Sequence, residues 1–405
     1  MYKPGFMIMM ILVATLASVG QMTNTIYVPA MLKIATATGL EVSRIQSLMA
    51  AFLVPYGISQ FFYGPISDRF GRRPVILVGL FIYVIGAILT VLAHTFSTLF
   101  IGTVIQGIGI GVGGVMARTV MRDLYHGKRL HTASSYMSVA LIFAPLIAPI
   151  IGGGLTTLFN WRAIFIFLLS LGVAVFAMQY YLFPETNSHI DTAPLKIKSF
   201  FNRYRNILKN KRFLGNMLIL TINFAGVAVF EASSGVLFTS VLHYSPAKTS
   251  VLFILPLPAY LLGSFVAAKL NDRFSLNDLM VIAIIIMSLS SVMMFGLALL
   301  HTISLLDILL PVSGFLFGTG IVFPTATTGA LDPFPKAAGT AGAILGGMQN
   351  IGAGGVTIIS AMMTQSTARP LSFLLVLISF CILTLYYLWV RGEPDAPMSD
   401  VSDII

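Results

Sequence analysis

Charge is what this chain has least of. Only 9% of its 405 residues are Asp, Glu, Lys or Arg, where a water-soluble domain carries roughly 25%. So few ionic groups cannot cover a soluble surface of this size, which excludes soluble enzymes, nucleic-acid binders and disordered chains. Cysteine is almost missing: Cys381 stands alone, so no intramolecular disulfide staples the fold. There is no H-E-x-x-H, no G-x-S-x-G and no G-x-x-x-x-G-K-[ST] phosphate loop, and the six histidines show no metal-ligand spacing. Neither an intramembrane enzyme nor an ATP-driven pump finds support, and no cofactor is expected.

In place of charge there is hydrocarbon. Residues of the AVILMFWYC set make up 57% of the chain, and the mean hydropathy is +0.91. A bilayer core about 30 Å thick takes roughly 20 apolar residues of helix to cross. Twelve such runs are present: 6–32, 43–66, 74–94, 97–119, 133–156, 162–183, 214–242, 249–270, 278–300, 304–329, 338–363 and 371–391. The first is too long for the apolar region of a signal peptide and begins a series of spans, so it reads as an uncleaved helix. The expected fold is an all-α membrane protein of twelve transmembrane helices. The one long connection, 184–213, separates an N-terminal six-helix bundle (1–183) from a C-terminal one (214–391), and a tail follows (392–405).

The net charge of +10 is explained by where the basic residues lie. Of 24 Lys and Arg, 19 fall on the side of the N-terminus; Lys33, Arg44, Arg162, Lys248 and Arg369 fall on the other. By the positive-inside rule both termini are cytoplasmic. The basic excess is thus a topology signal with some attraction to anionic membrane lipid, and nucleic acid is not an expected partner.

The two halves echo each other. Asp68-Arg69-Phe70 after span 2 returns 204 residues later as Asp272-Arg273-Phe274 after span 8, and Gly107-Ile108-Gly109 in span 4 is matched with Gly318-Thr319-Gly320 in span 10. Repeated, pseudo-symmetric halves predict a binding site near the bilayer midplane between them and rocking of one against the other.

Gly64-x3-Asp68-Arg69-x-Gly71-Arg72-Arg73 resembles motif A of the major facilitator superfamily, and Ala148-Pro149-Ile150-Ile151-Gly152-Gly153 resembles its G-P-x-x-G-G antiporter motif. Together with Gln21-Met22, Thr25 to Ala30, Gly113 to Thr119 and Asn160-Trp161-Arg162, they make the whole chain similar to the twelve-span drug/proton antiporter branch. The resemblance implies a monomeric multi-pass exporter of the bacterial inner membrane, with lipophilic or cationic drugs and protons as partners and the proton gradient as energy source. It departs at two positions: Thr103 stands where motif B usually has Arg, and Thr25 where many relatives have Asp.

Glu231 lies well inside span 7. A carboxylate at that depth costs at least about 2.5 kcal/mol, which marks it as functional by default. It can be neutral in one state and charged in another, as proton coupling demands; a charge facing a wet cavity with no coupling role is the plainer alternative. Gln21, Asn24 and Val28, with Tyr27 beside them, fall on a face of span 1, Phe52, Tyr56, Gln60 and Tyr63 on one of span 2, and Phe253, Leu257 and Tyr260 on one of span 8. Amides turned from lipid and aromatic faces suit flat lipophilic compounds, though such stripes also serve as core. Twenty Met residues add surface that can re-pack.

The resemblance implies a conformational latch in Asp68, Arg69 and Arg72, paired with Asp123; the alternative makes the arginines topology anchors only. Pro149, Gly152 and Gly153, facing the glycine-rich span 4, imply either a bend that seals against proton leak or close packing. Arg118 either replaces the missing motif B Arg or anchors at the interface. The expected function is multidrug efflux by drug/proton antiport with alternating access. The second reading is a proton-coupled exporter of one metabolite or sugar, and the third a non-transporting membrane sensor.

Overall fold

A chain with so few polar side chains must satisfy its backbone internally, and in a bilayer only helices and closed barrels do so. The computed structural model describes residues 5–187, 197–270, 273–299, 304–334, 337–363 and 367–391, and among these no strand occurs. The helices are α1 (Phe6–Thr25), α2 (Met31–Thr38), α3 (Val42–Phe70), α4 (Arg72–Val91), α5 (Phe96–Leu124), α6 (Gly127–Leu158), α7 (Arg162–Leu182), α8 (Ile197–Leu208), α9 (Lys211–Val236), α10 (Pro246–Ile254), α11 (Leu257–Leu270), α12 (Leu276–Leu299), α13 (Leu305–Leu331), α14 (Ala338–Met362) and α15 (Arg369–Leu385). Taking α1 with α2 and α10 with α11 as broken spans, and setting aside the short α8, these form twelve rods matching the twelve apolar runs. Ten are long and apolar enough by themselves to cross a membrane, and Phe143–Leu158 of α6 is a shorter apolar helix.

Proline explains both breaks. Span 1 is interrupted by a short 3-10 turn, Val28–Ala30, at Pro29, and span 8 between Ile254 and Leu257 at Pro256. Pro has no N–H to donate and its ring clashes with the preceding turn. The 184–213 connection is not wholly irregular, because α8 lies within it. Apolar residues at 197, 200, 201, 204, 207 and 208 give it helical periodicity. The Asp272 echo, Pro335 before span 11 and the 392–405 tail lie outside the described residues.

The chain forms two compact units, Met1–Ile197 with Ser234–Leu252 and Lys198–Ser233 with Phe253–Ile405. The expected boundaries differ from these in one respect: the end of span 7 and the start of span 8 belong with the first unit. Small residues explain it. A side chain on Gly235 would collide with the Val28 carbonyl, and Ser250 donates its hydroxyl to the Pro149 carbonyl at 2.7 Å.

Within each unit the fourth span is the hub. In the first, α5 packs on α3 and α4, and α4 on α7; in the second, α13 packs on α11 and α12, and α12 on α15. Glycines permit the approach. Gly109 abuts Tyr83 and Gly79 of α4, and Gly111 abuts Ser59 and Tyr56 of α3; Gly318 abuts Met287 and Ala283 of α12, and Gly320 abuts Tyr260 of α11. The true repeat therefore matches Gly109 with Gly318 and Gly111 with Gly320, an offset of 209. The expected pairing of Gly107 with Gly318 is two residues out of register. The partners Tyr56 and Tyr260, Gly79 and Ala283, and Tyr83 and Met287 all keep the offset of 204. Five extra residues in the second half account for the change: α12 is four residues longer than α4, and its connection to α13 is one residue longer than that between α4 and α5.

Candidate functional site

The α3–α4 turn holds the densest polar cluster. Gly71 sits at φ +92°, where a side chain would be strained and would also press on the Glu185 carboxylate. Arg72 then opens α4, with its side chain 8% exposed. Its guanidinium donates to Ser67 Oγ at 2.6 Å, Asp68 Oδ1 at 2.5 Å and Asp123 Oδ2 at 2.9 Å. A planar fork of donors suits three acceptors in this way; a lysine ammonium does not. Arg72 is thus the residue that reaches Asp123. Arg69 does not; its guanidinium lies over the Phe70 ring, 5.4 Å from the centroid. Arg73 donates to the Tyr180 carbonyl instead, at 2.7 Å.

Glu185, just beyond α7, was not singled out by the sequence. Its Oε1 accepts from the backbone N–H of Arg72 (2.8 Å), Thr186 (3.0 Å) and Asn187 (2.9 Å), and its Oε2 from that of Arg73 (3.1 Å). It therefore satisfies the orphan donors of the first turn of α4 and places a negative charge at the positive end of that helix. Glu185→Ala should lower stability by about 1–2 kcal/mol, read as a drop in melting temperature, and Glu185→Gln should lose less. In the sequence the signal was an acid placed directly after Pro184 at a span exit, in a stretch dominated by Lys and Arg.

The second half answers this cluster with other residues. Asp332, at the end of α13, is the counterpart of Asp123 at the offset of 209. The counterpart of Arg72 is Leu276, first residue of α12. Arg212, at the start of α9, supplies the missing cation, its Nη2 3.2 Å from Asp332 Oδ2. The N-terminus of α12 is capped locally by Ser275 and Asp278, whose side chains and backbone N–H groups bond reciprocally at 3.1 Å.

The antiporter-like run of α6 makes backbone-close contacts. A side chain on Gly152 would collide with the Ile26 carbonyl, and one on Gly153 with the Ser250 hydroxyl. Lys33 Nζ donates to the Thr156 carbonyl at 3.1 Å. Gly154, next in line, has open space before it.

The ligand faces read from the sequence divide into two kinds. Val28, Phe52 and Phe253 are completely or almost completely covered by protein, so in this conformation they pack and present no surface to a ligand. Phe52 stacks on Tyr56 at 5.5 Å and Phe253 on Phe230 at 5.9 Å. Asn24, Tyr27, Tyr56 and Gln60 are buried as well. Gln21 and Tyr260 keep accessible surface, as does Arg118, one turn beyond Gly114; a side chain on Gly114 would meet Gln60 and the Tyr56 hydroxyl at 2.9 Å. Thr25 and Thr103 spend their hydroxyls on the helix carbonyls of Gln21 (3.1 Å) and Leu99 (2.8 Å), so neither replaces the charged residue its position has lost.

Glu231 is half-buried. On α9, with 100° per residue, it shares a face with Phe224 and Val227, and all three keep some accessible surface. The other partly accessible face, about 140° away, is Leu214, Leu218 and Ile222, an aliphatic stripe suited to hydrocarbon. The carboxylate is therefore turned away from the greasy side of its own helix. Ser233 and Ser234 beside it are buried, and Ser233 bonds Ser360 at 3.3 Å.

Comparison with known proteins follows the same outline. Residues 11–357 match the model of the Major Facilitator Superfamily. The chain is 42% identical over 376 residues to Multidrug resistance protein D of Escherichia coli strain K12, covering 93% of this chain and 94% of that protein. It is 24% identical to a Bicyclomycin resistance protein homolog of Haemophilus influenzae, covering 90% and 92%. The crystal structure of a D-xylose-proton symporter superposes with a TM-score of 0.77 at 17% identity, covering 97% of this chain and all of that one; this likeness concerns the fold alone.

Proposed function

The chain belongs to the major facilitator superfamily, and from that premise we propose that it exports hydrophobic and amphipathic drugs across the bacterial inner membrane in exchange for protons. It is a multi-pass membrane transporter and not an enzyme. The observation that carries the reading is the 42% identity, along almost the full length of both chains, to a protein named for multidrug resistance. Proton exchange rests on Glu231, the one acid of fourteen that stands deep inside an apolar span. Alternating access lets the same groups meet the two sides in turn. The asymmetry of Lys and Arg supports cytoplasmic termini and a cytoplasmic α3–α4 turn. There Arg72, held by Asp68 and Asp123, acts as a latch; opening it leaves a nearly buried cation with lost partners, which makes the step discrete.

Purified protein in proteoliposomes with a lumenal pH dye tests the proposal. Adding a lipophilic cation such as ethidium to vesicles under an imposed pH gradient should change lumenal pH as the drug moves. Drug movement with no change in pH would reject proton exchange, and no movement of any lipophilic probe would reject drug export.

A further inference from the structure

A groove of about 720 Å³ runs between α3, α4 and α5, within the size range of small-molecule sites. Its walls include Pro55, Phe62 and Phe70 of α3, Pro74 and Val78 of α4, and Ile108 of α5. Phe62, Phe70 and Val78 are about half exposed. The shape follows from proline: Pro55 and Pro65 stand inside α3, where the missing N–H bends a helix, and Pro74 presents only a short ring near the start of α4. The polar side chains in the lining, Ser59 and Tyr63, donate their hydroxyls to the backbone carbonyls of Tyr56 (3.0 Å) and Ile108 (2.8 Å). A ligand there is offered carbon and nothing else.

Charge enters at one end. Arg69 stands over Phe70, the last residue of the groove along α3, and forms no ion pair among the described residues. The neighbouring acid, Asp68, is engaged by Arg72. From Pro55 to Phe70 the helix rises about 22 Å at 1.5 Å per residue, roughly three-quarters of a hydrocarbon core of about 30 Å. The groove therefore covers the depth of one leaflet and reaches past the middle of the membrane, with a cation at its mouth. We propose that it is a site for an anionic phospholipid, one acyl chain lying in the groove and the phosphate held by Arg69. A zwitterionic lipid is a poorer fit, because its ammonium would compete with Arg72 for Asp68. Apart from Tyr63, whose hydroxyl is held by the Ile108 carbonyl, the site shares no residue with the faces assigned to drug and proton.

Native mass spectrometry of the full-length protein with defined lipids tests this. Phosphatidylglycerol should remain bound roughly fivefold better than phosphatidylcholine or phosphatidylethanolamine, the preference that one basic residue near the headgroups supplies. Arg69→Gln should erase the preference. Val78→Trp, which fills the groove, should remove the retained adduct, while Leu289→Trp on α12, also at a largely exposed apolar position, should keep it. Ile58→Trp serves as the second groove-filling variant if Val78→Trp does not fold. Equal retention of the three lipids, a preference for phosphatidylethanolamine, or retention unchanged in a folded groove-filled variant would overturn the proposal.

Discussion

Alanine at Gly152 should destabilise the protein by about 1–3 kcal/mol, the usual cost of overpacking, while alanine at Gly154 should leave stability unchanged or raise it by up to about 1 kcal/mol. The two glycines lie two residues apart on α6 and differ only in what they face. A methyl group on Gly152 would collide with the carbonyl oxygen of Ile26; one on Gly154 meets nothing within 4 Å. The obstacle at Gly152 is backbone, so no rotamer change relieves it. It also stands where span 1 breaks before Pro29, so displacing α6 would disturb that break. Thermal unfolding in detergent, read by circular dichroism, compares the pair directly. Equal melting temperatures for the two alanine variants would show that α6 does not press on Ile26 and would remove the packing role given to the antiporter-like run. Transport by the Gly152→Ala variant should fall along with stability.

How far the sequence was legible follows from what each physical signal measures. Apolar runs report span length, so the twelve rods were found to within a few residues. Their breaks were missed because Pro29 and Pro256 interrupt hydrogen bonding without interrupting hydropathy. The repeat was seen through Asp68-Arg69-Phe70, but its register in span 4 was misread. Several glycines alternate there, and only the partners of Gly109 and Gly111 reveal which ones correspond to Gly318 and Gly320. Glu231 was legible because a charge deep inside an apolar span is expensive, and Arg72 with Asp123 through the resemblance that motif A carries. Glu185 and the pair Arg212 and Asp332 were not, because nothing in spacing says that residues more than 100 positions apart will meet. Aromatic periodicity was the weakest guide: Phe52 and Phe253 have the same spacing as lining residues would, yet both are covered. Periodicity tells which face a residue occupies but not whether another helix lies against that face.

Replacing Glu231 with glutamine should abolish proton movement that depends on drug, the largest functional change expected from any single substitution here. Gln keeps the size and the acceptor oxygen of Glu but can neither release nor take a proton at neutral pH. The alternatives on the chain are few. Thr25 and Thr103 have spent their hydroxyls on their own helices, and the other acids within helices, such as Asp68, Asp123, Asp278 and Asp307, stand at their ends. Glu231 lies twenty residues into the span that begins at Lys211 and ten before its end at Val241, on the face opposite Leu214, Leu218 and Ile222. Moving it from water to that depth is costly as an anion and much cheaper as a neutral acid, so its protonation state and its accessibility are coupled. In the lumenal-pH assay, Glu231→Gln should still bind a lipophilic probe through the apolar surface beside it while the drug-dependent pH signal disappears. Glu231→Asp should keep part of that signal, because it retains the carboxyl and shortens its reach. A glutamine variant that moves protons in proportion to drug would sink the assignment. One that loses both probe binding and proton movement would recast Glu231 as the counter-charge for cationic drugs, with the proton carried elsewhere.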